Sequence, residues 1–235
     1  MSDQASPAAE RASREQREGD LVASRIKELV EKPIQGKFDA AHLKSVHAYL
    51  FQDLPEHRPG IIRRDSDGWH KTRELEGQGP SHVVHYLHRR VAARIAAILR
   101  AFGGPARLRG LPLGDAAARL ARLYGDLDHA HGFYEGNSRT LREFTRELAL
   151  AAGYTVDWTR AGSGRNARNA LYVARDVAVL ERAYPGLTEE QAMTTADRTE
   201  YEAWWHLARL RELQGEYSLE RLVLAAFVTP SEPPA

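Results

Sequence analysis

Apolar residues recur at helical spacing along most of the chain, and this periodicity predicts a mostly α-helical protein. The pattern starts at Leu21, after a polar segment, 1–20, that is expected to be a disordered tail. One domain is predicted over residues 21–228, and a short flexible tail over 229–235. The helices are predicted at about residues 21–32, 40–50, 80–102, 115–130, 140–152, 166–183, 188–196, 199–214 and 218–228.

One segment departs from the helical pattern and resembles two extended arms around a turn. The turn is Asp65-Ser66-Asp67-Gly68, whose Asp-Gly pair favours a tight hairpin. A β-hairpin is therefore predicted over 61–72, and its arms contain Ile61, Ile62, Arg63, Arg64, Trp69, His70, Lys71 and Thr72.

The composition is that of a soluble globular protein, with 43% hydrophobic and 28% charged residues among 235. The net charge of +1 gives no reason to expect a nucleic acid or a membrane surface as partner. No cysteine is present, which excludes disulfides and thiolate chemistry. The N-terminal segment has no apolar core of a secretory signal, so the expected location is the cytoplasm of the producing cell or of a cell that receives the protein.

The stretch HGFYEGNSRTLR, residues 131–142, combines groups that suit a phosphate-binding site. Gly136 and Asn137 tolerate a sharp turn before a helix, and the first backbone N–H groups of a helix attract anions. Arg139 and Arg142 are three positions apart, so both guanidiniums can reach one phosphate chain from the same helix face.

Two further side chains of this stretch predict transfer chemistry. A carboxylate such as Glu135 beside phosphates needs a cation between them, which predicts Mg²⁺ or Mn²⁺. His131 can accept a proton from a hydroxyl near neutral pH. Each residue alone is more typical of an ordinary structural loop, but the ordered set favours phosphoryl or nucleotidyl transfer.

The same twelve residues resemble the signature of the Fic domain family, H-P-F-x-[DE]-G-N-G-R-x-x-R. Seven of its nine fixed positions match in order. The segment Leu50-Phe51-Gln52-Asp53 and the predicted hairpin 61–72 are similar to the region of the family that carries its substrate-binding flap. The resemblance covers about residues 40–185 and implies a Fic-type helical bundle with a small β-hairpin flap.

The resemblance also implies an activity, the transfer of AMP from ATP to a Tyr, Thr or Ser hydroxyl of a target protein. By position, His131 would be the base, and Glu135 would hold Mg²⁺ (or Mn²⁺). Asn137, Arg139 and Arg142 would contact the phosphates, together with the backbone of Gly136 and Ser138. The flap residues Ile61–Arg64 and Trp69–Lys71 would pair with an extended target segment.

The chain departs from the family signature at two positions, where Gly132 replaces proline and Ser138 replaces glycine. Serine would be strained if position 138 needed a positive φ, by about 1–2 kcal/mol. The alternatives to adenylyl transfer are therefore a degenerate domain that binds nucleotide or a partner without catalysis, and transfer of a different phosphate-containing group.

Regulation is the last expectation from the resemblance. Relatives are inhibited by a helix with the string [ST]-x-x-x-E-[GN], whose glutamate pairs with the second arginine. The string at 72–77 follows the flap and is attributed to chance, and Ser13…Glu18-Gly19 misses the spacing by one residue. The sequence therefore predicts no built-in inhibitor, which favours a toxin with a small antitoxin partner or an effector delivered to another cell.

Overall fold

The computed structural model describes residues 6–75, 79–162 and 167–228. The predicted mostly α-helical fold with a small β-hairpin is confirmed. No helix in these ranges is both long and apolar enough to span a bilayer. The helices are α1 (Pro7–Glu31), α2 (Ala40–Leu50), α3 (Val91–Phe102), α4 (Leu113–Ala130), α5 (Asn137–Ala151), α6 (Ala167–Ala183), α7 (Glu189–Thr194), α8 (Arg198–Gln214) and α9 (Leu219–Ala226). The strands are β1 (His70–Arg73), β2 (His82–His85), β3 (Thr155–Val156) and β4 (Phe227–Val228).

Helix α4 lies at the centre of the main apolar core. It packs against α3, α5, α6 and α9, so its side chains are buried on several faces. Leu120, Tyr124 and Leu127 are all almost fully buried. The helices around α4 fix the axis of α4. The loop 131–136, which joins the C-terminal end of α4 to the start of α5, therefore has a defined position.

A second, smaller apolar cluster attaches the hairpin to the rest of the protein. Val84 of β2 packs here with Val177 of α6 and Leu210 of α8, and all three are buried. The hairpin is antiparallel, with His70 opposite His85 and Arg73 opposite His82. Strand β2 of the hairpin is therefore fixed against α6 and α8, and β1 is the outer strand.

The N-terminal segment differs from the predicted tail, because α1 already begins at Pro7 rather than at Leu21. The added turns carry few apolar residues but many good helix formers, namely Ala, Glu, Arg and Gln. Once Val22 and Leu29 are buried, these residues extend the packed helix toward the N-terminus.

The hairpin spans residues 70–85 rather than the predicted 61–72, so it begins nine residues later than predicted. Residues Ile61–Arg64 are not a strand, and the Asp-Gly turn is not used. Instead the Asp65 carboxylate accepts the backbone N–H groups of Arg90 at 2.6 Å and Val91 at 3.1 Å. Asp65 therefore caps α3 across the chain, a long-range contact that the local turn pattern does not reveal.

The predicted helix over 80–102 is also wrong in its first half. Residues 82–85 alternate between buried and half-buried, which is the period of a strand, and the helix starts only at Val91. His82 is buried in β2, with its Nε2 atom 2.8 Å from Asp176 of α6. The apolar residues at 84, 87 and 91 are three and four positions apart, which is helical spacing, so the local pattern favoured a helix where the fold forms a strand.

The C-terminal helices form close to the predicted positions, and the Thr188–Gln191 capping box is present. Two aromatic residues lie on the outer face of α8. Tyr201 and Trp205 are 40% and 50% exposed, whereas Leu207 and Leu210 are buried. The side of α8 that packs on α6 therefore carries leucines rather than the aromatic residues.

Candidate active site

The junction between α4 and α5 places His131 at the bottom of a cavity. His131 ends α4 in the left-handed conformation, with φ of 45°, and its N–H donates to the carbonyls of Leu127 and Asp128, each at 3.1 Å. The side chain is buried, and neither ring nitrogen has a hydrogen-bond partner among the described residues. Two buried, unpaired nitrogens are unusual in a structural histidine and fit a group that acts on a ligand.

The loop between the two helices is held from within by Asn137. Its amide oxygen accepts the N–H of Phe133 at 2.9 Å, and its amide nitrogen donates to the Phe133 carbonyl at 2.7 Å. These two bonds fix the loop geometry and use only one of the two N–H donors of the amide, so the contact between Asn137 and a phosphate stays a prediction. The backbone N–H of Asn137 lies at the start of α5.

His47 of α2 supports the loop from the other side. Its ring stacks on Phe133 with centroids 3.8 Å apart, and its Nδ1 accepts the N–H of Gly60 at 2.9 Å. Its Nε2 atom therefore carries the proton and donates to the Glu135 carbonyl at 3.1 Å. Burial lowers the pKa of His47 to about 4, so the neutral ring is the stable form at pH 7.

Arg63 ties three segments together beneath the site. Its guanidinium donates to the carbonyls of Ala130 at 3.2 Å, His131 at 2.6 Å and Leu87, and its backbone N–H donates to Gly132 at 2.8 Å. The side chain is buried under the Trp69 ring, 4.5 Å from its centroid. Because the Arg63 side chain is buried and three of its contacts hold the backbone of residues 130–132, this arrangement gives no support to the prediction that it contacts a target segment.

Gly136 is required at its position by a close contact as well as by its backbone. Its φ is 75°, and a β-carbon there would lie 2.2 Å from the nearest atom of the Phe51 ring. Ser138, in contrast, lies in the first turn of α5 with helical backbone angles. The replacement of the family's second glycine therefore causes no backbone strain.

The cavity brings together all of the predicted nucleotide and metal residues. Its volume is about 720 Å³, within the usual range for small-molecule sites. The predicted residues that line it are His131, Glu135, Gly136, Asn137, Ser138, Arg139, Arg142 and Lys71. Of the seven predicted flap residues, only Lys71 reaches this cavity; Ile61, Ile62, Arg63, Arg64, Trp69 and His70 do not line it.

The two motif arginines are in different electrostatic environments. Arg142 is half-buried and no carboxylate of the described residues pairs with it, and this burial lowers the pKa of its guanidinium. Arg139 lies 2.5 Å from Glu18 of α1 and over the Phe51 ring. Arg142 is therefore a cation that lacks an anion, while Arg139 already has one.

Glu18 is a cavity residue that the sequence analysis did not assign to the site. The helical α1 brings Glu15 and Glu18 to the cavity wall, and Glu18 also contacts His57 at 3.2 Å. The sequence predicted no built-in inhibitor, and the structure places a carboxylate of the chain itself against the first motif arginine. The near match at Ser13…Glu18-Gly19 was the signal, although Glu18 meets the first arginine rather than the second. The other string, at 72–77, ends in Glu76 and Gly77, outside the described residues.

Glu135 lies at the mouth of the cavity, where its carboxylate is more than half exposed. Its oxygens are 3.3 and 3.4 Å from the Lys71 ammonium of β1. Within the described ranges, no three His, Cys, Asp or Glu side chains converge to hold a metal ion by themselves. A divalent cation here would therefore take one carboxylate from the protein and its other ligands from phosphate and water, which fits Mg²⁺.

The charges around His131 favour its neutral form. Burial is the main cause that lowers the pKa of His131 well below its ordinary value, and the cations Lys71, Arg175, Arg73 and Arg63 add to the effect. An imidazole that stays neutral at pH 7 keeps a lone pair that can accept a proton.

Residues 37–149 match the model of the Fic/DOC family, which confirms the resemblance seen in the motif. This part of the chain is a Fic domain. The loop 131–136 lies near the C-terminal end of these residues, and the cavity is completed by residues outside them, such as Glu18 and Arg175.

Relatives with assigned names are similar to parts of this chain. Protein adenylyltransferase VbhT of Bartonella schoenbuchensis is 36% identical over 135 residues, which is 57% of this chain and 25% of VbhT. Probable protein adenylyltransferase Fic of Escherichia coli is 26% identical over 118 residues, 50% of this chain and 52% of that protein. The chain thus spans a quarter to a half of the length of these relatives.

The fold is shared with a solved structure of a Bartonella tribocorum protein, BepC, which is described as a VirB-translocated effector with bound AMPPNP. The two align with a TM-score of 0.59 over 92% of this chain and 87% of BepC, at 18% identity. At this identity the alignment shows the common fold.

Proposed function

We propose that this chain transfers AMP from ATP to a hydroxyl side chain of a target protein. The observation that carries the proposal is the cavity in which a neutral His131 faces the start of α5 and the unpaired Arg142. VbhT is named a protein adenylyltransferase and the Escherichia coli Fic protein a probable one, and these names support the proposal.

In this proposal the nucleotide phosphates lie against the start of α5. Backbone N–H groups at 136–138 and the Ser138 hydroxyl contact the α-phosphate, and the two arginines bind the phosphates that leave. Arg139 is released from Glu18 when phosphate oxygens replace the carboxylate. A divalent cation held by Glu135 would neutralise phosphate charge while bound.

His131 acts on the incoming hydroxyl group. Its Nε2 atom accepts the hydroxyl proton, the hydroxyl oxygen bonds to the α-phosphorus, and the bond from that phosphorus to the bridging oxygen breaks. Pyrophosphate leaves with the bonding electrons, so the products are an AMP-modified side chain and pyrophosphate. An extended target segment would pair with the outer strand β1, which carries Lys71 at the cavity mouth.

The proposed reaction is tested by the position of a label on ATP. Purified protein with Mg²⁺ and a bacterial lysate should label a protein band from ATP marked at the α-phosphate and not from ATP marked at the γ-phosphate. Label from the γ-phosphate would indicate phosphoryl transfer instead. ATP binding without any label would favour the alternative, a degenerate domain that binds nucleotide without catalysis.

For the biological role, we propose a toxin or a delivered effector. BepC, a translocated effector with the same fold, supports this role, and a small antitoxin partner remains a proposal alongside the Glu18 contact. Expression in Escherichia coli should slow growth, and His131→Ala should abolish the effect. Growth restored by a neighbouring small open reading frame would identify an antitoxin; unimpaired growth with the wild-type chain would contradict the toxin role.

A further inference from the structure

Asp128 is a buried carboxylate next to His131 that the reaction described above does not use. The two residues are three positions apart at the end of α4, and Oδ1 of Asp128 is 4.0 Å from Nδ1 of His131. Both side chains are nearly inaccessible to solvent, with exposed fractions of 1% and 3%. A carboxylate in the last turn of a helix faces the negative end of the helix dipole, so this position is unfavourable without a compensating partner.

Arg175 of α6 supplies that partner and fixes the orientation of the carboxylate. Its Nε and Nη2 atoms donate to the two oxygens of Asp128, each at 2.9 Å, and the guanidinium is itself buried. Each carboxylate oxygen has a second acceptor position, so Asp128 can still accept one more hydrogen bond. The clamp therefore holds a charged acceptor beside a ring nitrogen that has no partner.

The remaining surroundings restrict how the His131 ring can move. The Tyr86 ring covers it with centroids 3.9 Å apart, and Arg73 donates to the Tyr86 hydroxyl at 2.9 Å. The backbone of His131 is held by Arg63. A shift of about 1 Å at Nδ1 toward Asp128 would bring the two atoms, now 4.0 Å apart, within hydrogen-bond distance.

We propose that Asp128, clamped by Arg175, is the positioning residue that keeps the proton of His131 on Nδ1 and leaves the Nε2 lone pair free. This inference rests on the proposed role of His131 as a base. It also answers a difficulty in that role, because Lys71, Arg73, Arg63 and Arg175 all disfavour the imidazolium that forms when Nε2 accepts a proton. The negative charge of Asp128 offsets part of that repulsion during the reaction.

The most direct test is the tautomer of His131, read by nitrogen NMR of protein labelled at histidine. The protein is loaded with Mg²⁺ and AMPPNP at pH 7.5, and His131→Gln identifies the signal. The proposal predicts a protonated Nδ1 and a bare Nε2 in the wild type. A protonated Nε2 in the wild type overturns it, whether or not any variant folds.

Asp128→Asn provides the kinetic test, because it removes the charge at nearly constant size. We expect kcat to fall about 10- to 100-fold with the KM for ATP changed less than about 3-fold, and the His131 proton to be redistributed toward Nε2. Should the stranded Arg175 unfold this variant, the double variant Asp128→Asn, Arg175→Gln removes both charges and carries the same expectation. A folded variant with unchanged tautomer and kcat contradicts the proposal.

The matched control is Asp126→Asn on the same helix. Asp126 also pairs with an arginine of α6, Arg182 at 2.6 Å, but it does not face His131. This control should leave kcat and the tautomer unchanged; an equal loss of kcat in both variants would assign the effect to helix anchoring. If the wild type shows the predicted tautomer but transfers no AMP, the proposed function fails while the orientation by Asp128 stands.

Discussion

The floor and the rim of the cavity are held together by different kinds of contact. The floor is the loop 131–137, fixed by buried hydrogen bonds to Arg63, His47 and Asn137. The rim consists of two partly exposed ion pairs, Lys71–Glu135 and Glu18–Arg139. Each rim pair joins a group that the proposed nucleotide complex needs to a group from another part of the chain.

This difference determines what a ligand can change. A partly exposed ion pair contributes about 0–1 kcal/mol, so phosphate or a divalent cation can replace either partner at little cost. Breaking a buried hydrogen bond leaves an unsatisfied group and costs about 1–3 kcal/mol, so the floor keeps its geometry. The loop that carries His131 therefore keeps its geometry, while the ion pairs at the rim can open when a ligand binds.

The largest expected effect is on the floor. Gly136→Ala places a β-carbon 2.2 Å from the Phe51 ring, and we expect the free energy of unfolding to fall by about 3 kcal/mol or more. The control is Gly153→Ala, which has a positive φ of 94° but open space around it, so that only the backbone cost of about 1 kcal/mol applies. Urea unfolding of both variants measures the difference. Equal losses would show that the floor is not tightly packed at Gly136.

A second prediction separates function from stability. Arg142→Ala removes a cation that has no carboxylate partner, so the unfolding free energy should change by less than about 1 kcal/mol. AMP transfer, measured as kcat/KM for ATP, should fall about 100-fold because leaving phosphates lose their contact. Arg146→Ala, which breaks a pair with Glu143 on the same helix, should show the opposite pattern. A transfer rate close to wild type in Arg142→Ala would remove this residue from the site.

A third prediction concerns acidic pH, where the floor should weaken. The pKa of His47 is about 4 in the folded protein, below its ordinary value of 6.5, so the unfolded chain takes up the proton first as pH falls. Stability should therefore drop between pH 6.5 and 4, by up to about 1.4 kcal/mol per pH unit from this group. His47→Gln, which keeps a donor and an acceptor, should have a shallower slope in urea unfolding across this range. An unchanged slope would mean that His47 is not the titrating group.

The smallest effect is expected at the rim. Glu18→Ala should raise the transfer rate several-fold and lower the KM for ATP, because Arg139 no longer exchanges a carboxylate for phosphate; losing a pair of this kind costs about 1 kcal/mol at most. Glu31→Ala, at the exposed end of the same helix, serves as control and should have no effect. Initial rates at limiting ATP measure the change, and a reduced rate in Glu18→Ala would show that α1 assists rather than restrains the site.

Contacts between residues that are close along the chain could be predicted from the sequence, whereas contacts between residues far apart along the chain could not. His131, Glu135 and Arg142 lie within twelve positions, so local geometry and the motif together placed them in one cavity. Arg63 and Glu18 reach the loop from 68 and 121 positions away, counted to His131 and Arg139. No local pattern marks such partners. For Glu18 there was a signal, the near match to the inhibitory string at 13–19. Its use required a helix in residues 1–20, and the polar pattern of these residues did not predict one.

The hairpin shows the same limit. Both the Asp-Gly pair at 67–68 and the apolar positions at 84–91 have a clear local preference, but long-range contacts decide their structure. Asp65 caps α3, and burial of Val84 against α6 selects the strand. Local propensity is overruled here by tertiary contacts, one of which buries Val84 completely.

The assignment of His131 as the base is decided by comparing the wild-type chain with His131→Ala. Calorimetry first establishes that the two proteins bind ATP with similar affinity. Both are then incubated with Mg²⁺, ATP labelled at the α-phosphate and the same bacterial lysate. We expect a labelled protein band with the wild type and at least a 100-fold weaker band with His131→Ala. Equal labelling by the two proteins would contradict the assignment of His131 as the base.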